Sequence, residues 1–302
     1  MAKSSLRKYV YLSIAAAVTT IAIKITAYFL TNSVGLLSDG LESCVNLVAA
    51  VVALFLLTLS EKPADEEHAF GHSKAEYFSS AIEGGLIVVA AVAIIWSALP
   101  RLVDPLPVEN VGIGILVATG ASVINMLVAL VLIRNGRKHH SITLEADGKH
   151  LMTDVITSAG VLIGVGLVQL TGWLILDPIV AIGVALNIVW TGYQLMKRSA
   201  MGLMDTSIPE EEEKYVRGII DRFKGEKIGF HALKTRQAGQ RKFISFHLLV
   251  PDEWSIKQGH DLSENIEQEI RNLFPGSLVT VFTHMEPAGD PVSHKDIPID
   301  RN

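Results

Sequence analysis

The sequence contains a single cysteine, Cys44, and it lies inside an apolar run. That excludes a disulfide framework and a CxxC zinc site, both of which need thiols in pairs. Any metal must then use His, Asp, Glu or Asn. Charge is also scarce: Asp, Glu, Lys and Arg make up 19% of the chain, against about 25% in soluble domains. The formal net charge of -5 leaves no basic footprint for nucleic acid. There is no P-loop, no GxSxG elbow and no paired catalytic set, so no enzyme signature is present. No short leader with a small-residue cleavage site is evident, and the first apolar run is expected to be retained.

What the chain has instead is apolar length. Of its 302 residues 49% are hydrophobic, and the mean hydropathy is +0.37. A helix needs about 20 mostly apolar residues to cross a bilayer. Six segments meet that length: 9–30, 35–59, 77–99, 111–133, 144–170 and 174–196. An even number of spans puts both termini on one side. Lys3, Arg7, Lys8, Lys62, Lys74, Arg134, Arg137, Lys138, Lys197 and Arg198 share that side, while the opposite loops offer Arg101. Positive charge marks the cytoplasmic face, so both termini are expected there, in an integral inner or plasma membrane protein.

The second and fifth segments are the least apolar, because each carries a polar motif. In 38-SDGLESCVN-46 and 146-ADGKHLMTD-154, the residues Asp39, Gly40, Glu42 and Asn46 recur as Asp147, Gly148, His150 and Asp154, an offset of 147 − 39 = 108. Residues four apart share a helix face. Glu42 with Asn46, and His150 with Asp154, can therefore each project two ligands, and packing the two helices together yields the tetrahedral set that zinc favours. Ionisable groups in a bilayer cost about 2.5–3.5 kcal/mol each on insertion scales and usually mark a transport path. Interhelical hydrogen bonding is the structural alternative, but two spaced pairs in a repeat argue against it. Asp39 and Asp147, one turn before each pair, suit either an entry path and supporting shell or helix capping. Lys24, Glu83 and Asn125 also fall within spans; pairing or snorkelling accounts for Lys24, and internal hydrogen bonding for the other two.

After Arg198 the composition changes. Residues 209–223 have Val216, Ile219, Ile220 and Phe223 at helical spacing, with Ser207 and Glu210 placed as a capping box. Two strand-like runs, 228–237 and 241–250, flank the turn Ala238-Gly239-Gln240. A helix with Leu262, Ile266, Ile270 and Leu273 on one face follows, then a strand over 277–286. This predicts an α+β domain, helices on one face of a sheet. The expected divisions are a membrane domain over 1–204, a cytoplasmic domain over 205–288 and a loose tail over 289–302. In the loop, Asp65, His68 and His72 are three and four apart and would share a face if the segment were helical. The hairpin would bring His231 close to His247, and His284 shares a strand face with Glu286.

Together these segments (SVGLLSDGLES, PADEEHAFGHSKAE, ADGKHLMTDVITSAG, HALKTRQAG and RKFISFHL) resemble the cation diffusion facilitators, divalent-metal/proton antiporters that include bacterial zinc and iron efflux transporters, and the resemblance spans nearly the whole chain. It implies a six-transmembrane-helix bundle followed by a small cytoplasmic αββαβ, metallochaperone-like domain that forms a homodimer in the lipid bilayer. It also implies a central site at Glu42, Asn46, His150 and Asp154 and a second metal site at Asp65, His68 and His72. Regulatory metal positions fall on His231, His247, His260, His284 and Glu286, and a charge pair between loop and linker on Lys74 and Asp205. In the family helix two more often carries Asp or His and then Asp; Glu42 and Asn46 depart from that. With His150 neutral, Glu42 and Asp154 supply two negative charges, enough for one divalent ion. An amide oxygen favours harder ions such as Mn²⁺ or Fe²⁺ and the imidazole favours Zn²⁺ or Fe²⁺. Zinc leads on the resemblance, with iron, manganese and cadmium as alternatives. Proton coupling is expected at His150 and Asp154, since metal needs deprotonated ligands. A membrane-anchored metal sensor is the competing function, but it needs no ligands in mid-membrane.

Overall fold

A computed structural model describes residues 6–31, 34–104 and 111–293; the side chains of 27–31, 34–42, 45, 46, 111–115, 118, 161, 162, 164–166, 168, 169 and 177 lie outside that description. Six long helices come first: α1 (Arg7–Thr31), α2 (Val34–Ser60), α3 (Ala75–Val103), α4 (Val111–Lys138), α5 (Ile142–Thr171) and α6 (Leu176–Leu203). Helix α6 starts two residues later than the hydropathy suggests, because Gly172 turns the chain at a φ of 74°. Then follow α7 (Glu210–Arg222), β1 (Gly229–Ala238), β2 (Arg241–Val250), α8 (Ile256–Leu273) and β3 (Leu278–Pro287). The chain divides into two compact units, 1–200 and 201–302.

The first unit is a helical transmembrane bundle whose polarity is inverted relative to a soluble core. Large apolar side chains such as Phe55, Val89, Trp96 and Trp190 face outwards, Trp96 with 78% of its surface exposed, as lipid contact requires. Among the described residues, Arg7–Thr26, Ala75–Val103, Thr119–Lys138 and Pro178–Leu203 are long and apolar enough to span. The apolar part of α2 that is described, Leu47–Ser60, is shorter, and α5 carries Glu145, Asp147, Lys149, His150 and Asp154.

Inside, α1, α2, α4 and α5 enclose one cluster around Val10, Ala53, Leu57, Ala129, Leu132 and Leu144. A second joins α3, α5 and α6 through Ile87, Ala91, Ala146, Ala185, Ile188 and Leu195. Helix α5 belongs to both, and it also packs on α2. Its approach to α4 depends on Gly148, where an added Cβ would sit 2.7 Å from Ile133 Cγ1 and 2.9 Å from the Ile133 nitrogen. Small residues at such crossings let helix backbones meet closely.

The second unit is a three-stranded sheet in the order β1-β2-β3. β1 and β2 form an antiparallel hairpin around Gly239 and Gln240, with Gly239 at a φ of 57°. β3 lies parallel to β2, reached through α8, since parallel neighbours need a crossover. Ile244, Phe246 and Leu248 on one face of β2 pack against Val216, Ile219 and Ile220 of α7 and Ile266, Ile270 and Phe274 at α8. The period of two in a strand turns His247 to the opposite face. The expected capping box at Ser207 and Glu210 does not form: Pro209 is the N-cap of α7, with no side-chain cap. Proline is pre-set for a helix start, which moves the first turn past Ser207. A capping box forms instead at α8, between Ser255 and Gln258. Of the tail, residues 289–293 are described, and the Gly289 N–H donates to Asp252 Oδ1 at 2.8 Å.

Candidate metal centres

Helix α5 enters at Ser141, whose hydroxyl donates to the buried Glu76 of α3 at 2.6 Å. One turn on, Glu145 gathers three cations: Arg198 at 2.5 Å, Lys149 at 3.3 Å and Arg137 at 3.8 Å. The Lys149 contact was visible as an i,i+4 spacing; the other two reach across from α6 and α4 and leave no local signal. Beyond this anchor come Asp147, His150 and Asp154, which are 2%, 4% and 9% exposed. Asp147 Oδ1 accepts from Ser13 Oγ of α1 at 3.1 Å, and its Oδ2 has no hydrogen-bond partner among the described residues. His150 Nδ1 is likewise unpartnered. Glu42 and Asn46 lie on α2, but their side chains, like that of Asp39, fall outside the described residues. Lys24 does not snorkel: it is 4% exposed and donates to Ser43 Oγ of α2 at 2.8 Å.

In the loop between α2 and α3, Asp65, His68 and His72 have ligand atoms within 4.8 Å of one another. A helix is not what brings them together. The segment is a chain of turns in which the His68 N–H donates to Asp65 Oδ1 at 2.7 Å and the Gly71 N–H to the His68 carbonyl at 2.8 Å. An aspartate bonding backbone a few residues on stabilises such turns without helix. His68 Nδ1 and His72 Nε2 each stand 3.3 Å from an Asp65 oxygen. Ligand atoms about 2.0 Å from a zinc ion lie roughly 3.3 Å apart, so the donor set fits a metal. The His68 N–H, and after it the facing imidazoles, hold the Asp65 carboxyl below its ordinary range.

On the open face of the sheet the register pairs His231 with His247 and His247 with His284. Glu286 lies two residues further along β3. His231 Nε2 donates to Glu286 Oε2 at 2.8 Å, and His247 Nδ1 comes within 3.2 Å of Oε1 without forming a hydrogen bond. His231, His247 and Glu286 again place ligand atoms within 4.8 Å, with His284 Nε2 3.6 Å from Glu286. An irregularity after His231, with Ala232 at a φ of 53°, shifts the pairing there; bulges commonly re-aim side chains at sites. Partial burial pushes the Glu286 carboxyl up, but the His231 hydrogen bond and the charges of the three histidines outweigh it and hold it below its ordinary value. His260 is exposed at the start of α8 and belongs to neither cluster. Asp205 accepts from Arg236 Nη1 at 2.9 Å, and Lys74 is the N-cap residue of α3.

Residues 10–204 match a family described as the cation efflux transmembrane domain, and residues 208–288 one described as the cation efflux protein cytoplasmic domain. An uncharacterized transporter of Synechocystis sp., sll1263, is 49% identical over 287 residues, 95% of this chain and 92% of its own length. The cation-efflux pump FieF of Citrobacter koseri is 32% identical over 265 residues, 88% of this chain and 87% of the pump. A solved structure of the transporter CzrB is 34% identical and covers 26% of this chain and 96% of its own, with a TM-score of 0.24.

Proposed function

We propose, on the premise that this chain belongs to the cation efflux family, that it exports a divalent metal ion from the cytoplasm in exchange for protons, through a site formed by Glu42, Asn46, His150 and Asp154. Membership makes it an integral membrane cation efflux transporter; the proposal concerns the exchanged ion, the metal and the mechanism. The observation that carries it is the burial of His150 and Asp154 on one face of α5, the helix that packs against α2. A membrane-anchored sensor would have no use for them.

Each residue then has a task. His150 supplies a neutral nitrogen, Glu42 and Asp154 the two charges that balance a dication, and Asn46 a neutral oxygen. Facing the cytoplasm, the site gives up its protons and takes the metal; facing outwards, protonation of His150 and a carboxylate expels it. Inward proton flow drives export as helices rock about a fixed site near the midplane. Zinc is the first candidate cargo, with iron, manganese and cadmium behind it. Outside the span, Asp65, His68 and His72 would form a second metal site and His231, His247 and Glu286 with His284 would hold regulatory metal, and the chain would work as a homodimer with both termini in the cytoplasm.

Protein reconstituted in vesicles should take up Zn²⁺, Fe²⁺, Mn²⁺ or Cd²⁺ faster under an imposed proton gradient. Asp154→Ala should abolish uptake, and Asn46→Asp should change the order of preference. Full-rate transport by Asp154→Ala would remove the site, and indifference to the gradient would remove the coupling.

A further inference from the structure

Glu83 of α3 has none of its surface exposed. The sequence suggests internal hydrogen bonding for it, and half of that is present: Ser79 Oγ donates to Oε1 at 2.9 Å. Oε2 has no hydrogen-bond partner among the described residues. Helix α5, which packs against α3, carries another buried acid, Asp147, with an oxygen unpartnered among the described residues. Among the described residues, α2 and α5 pack on α3, and α6 meets it at the close approach of Gly84 to Gly192. From α2 the described side chains in the span include Ser43 and Cys44 and no charged group. From α6, the atoms that approach Gly84, next to Glu83, belong to Gly192, Leu195 and Met196. The remaining charges of α5 are Glu145 with its ion-paired cations, Lys149 among them, and His150 and Asp154 of the metal site. No cation among the described residues therefore offsets Glu83.

A wholly buried carboxylate with one hydroxyl donor and no offsetting cation is expensive to keep charged. An acid in that position holds a proton until a positive charge arrives nearby. We propose that Glu83 is a proton site of the transporter, separate from the four metal-binding residues. This rests on the antiport reading. As the dication enters from the cytoplasm the O–H bond of Glu83 breaks and its proton leaves to water on that side; as the metal departs outwards, a proton from outside restores the acid. Asn46 cannot titrate, so Glu83 adds an exchangeable proton beyond those of Glu42, His150 and Asp154.

The test uses the full-length purified chain and Zn²⁺ as probe. In wild type, adding metal should bleach the infrared C=O band of a buried, protonated carboxyl. In Glu83→Gln the share of that change due to Glu83 should be missing, leaving a smaller bleach from the metal-site carboxyl, while Zn²⁺ still binds, and vesicles should show one fewer proton exchanged per metal and a flatter pH profile. Glu83→Asp should restore the profile with a shifted band; should Glu83→Gln fail to fold, the band position in Glu83→Asp decides. A metal-induced band identical in wild type and variant, or an unchanged proton-to-metal ratio, would overturn the proposal. The infrared readout needs binding and not transport. A chain that binds Zn²⁺ without carrying it would sink the antiport reading, and with it the proposal, while the band still located the proton.

Discussion

Replacing Gly148 with alanine tests whether the close crossing of α4 and α5 sets the position of His150, two residues away. The new Cβ would stand 2.7 Å from Ile133 Cγ1, 2.9 Å from the Ile133 nitrogen and 3.0 Å from the Ala129 carbonyl oxygen. Non-bonded carbons settle at about 3.5–4.0 Å, and two of these three neighbours are backbone, which cannot rotate away. The helices must part by about 0.5–1 Å, at an overpacking cost of about 1–3 kcal/mol. Against that, alanine gains about 0.5–1 kcal/mol over glycine in a helix interior. Gly120 of α4 separates the two effects, because an added Cβ there meets nothing within 4 Å. Gly120→Ala should keep or raise the melting temperature in detergent. Gly148→Ala should melt lower than Gly120→Ala by about 2–4 °C for each kcal/mol of clash in a domain of this size, and its metal uptake should fall. Equal melting temperatures for the two variants, with uptake intact in both, would refute the claim that this crossing is sterically tight.

Two further outcomes are expected outside the membrane. Asp65 is held below its ordinary carboxyl range by the His68 N–H; a depressed value means that the turn's stabilisation is present at neutral pH and lost as pH falls below 3.8 towards the lower folded value. In metal-free protein, hydrogen-exchange protection of the His68 amide, corrected for intrinsic rate, should follow that course; Asp65→Asn should keep the protection without the acid dependence, and a pH-independent wild type would contradict it. Lys242 has a 1% exposed side chain, paired with Glu212 and lying 4.6 Å over the Phe274 ring. Lys242→Ala should cost about 3–5 kcal/mol by stranding the pair, whereas Lys242→Met, which keeps most of the volume, should cost less; denaturant titration of the full chain, followed at the β2 amides, distinguishes them.

The membrane helices, the hairpin and the amphipathic α7 and α8 were legible in the sequence because each is written as a local period or a turn signal. The same locality made His150 and Asp154 readable as a pair, and it placed His231 near His247. Its limits appear wherever a contact joins elements. Asp65, His68 and His72 have spacings that would share a face only in a helix, yet they converge through an aspartate-bonded turn. Ser207 and Glu210 had capping-box spacing, but Pro209 moved the helix start past them.

Amino-acid order alone determined that the chain enters a bilayer, that two of its spans carry a recurring polar motif and that a small mixed domain follows. It did so because apolar length and residue spacing act within single elements. Tertiary structure alone decided that Glu83 is wholly enclosed with an oxygen unpartnered among the described residues, that Glu145 gathers cations from α4 and α6 and that Lys242 is buried. Those facts depend on how each helix is rotated about its axis and which neighbour it meets, and no stretch of sequence taken singly encodes that rotation.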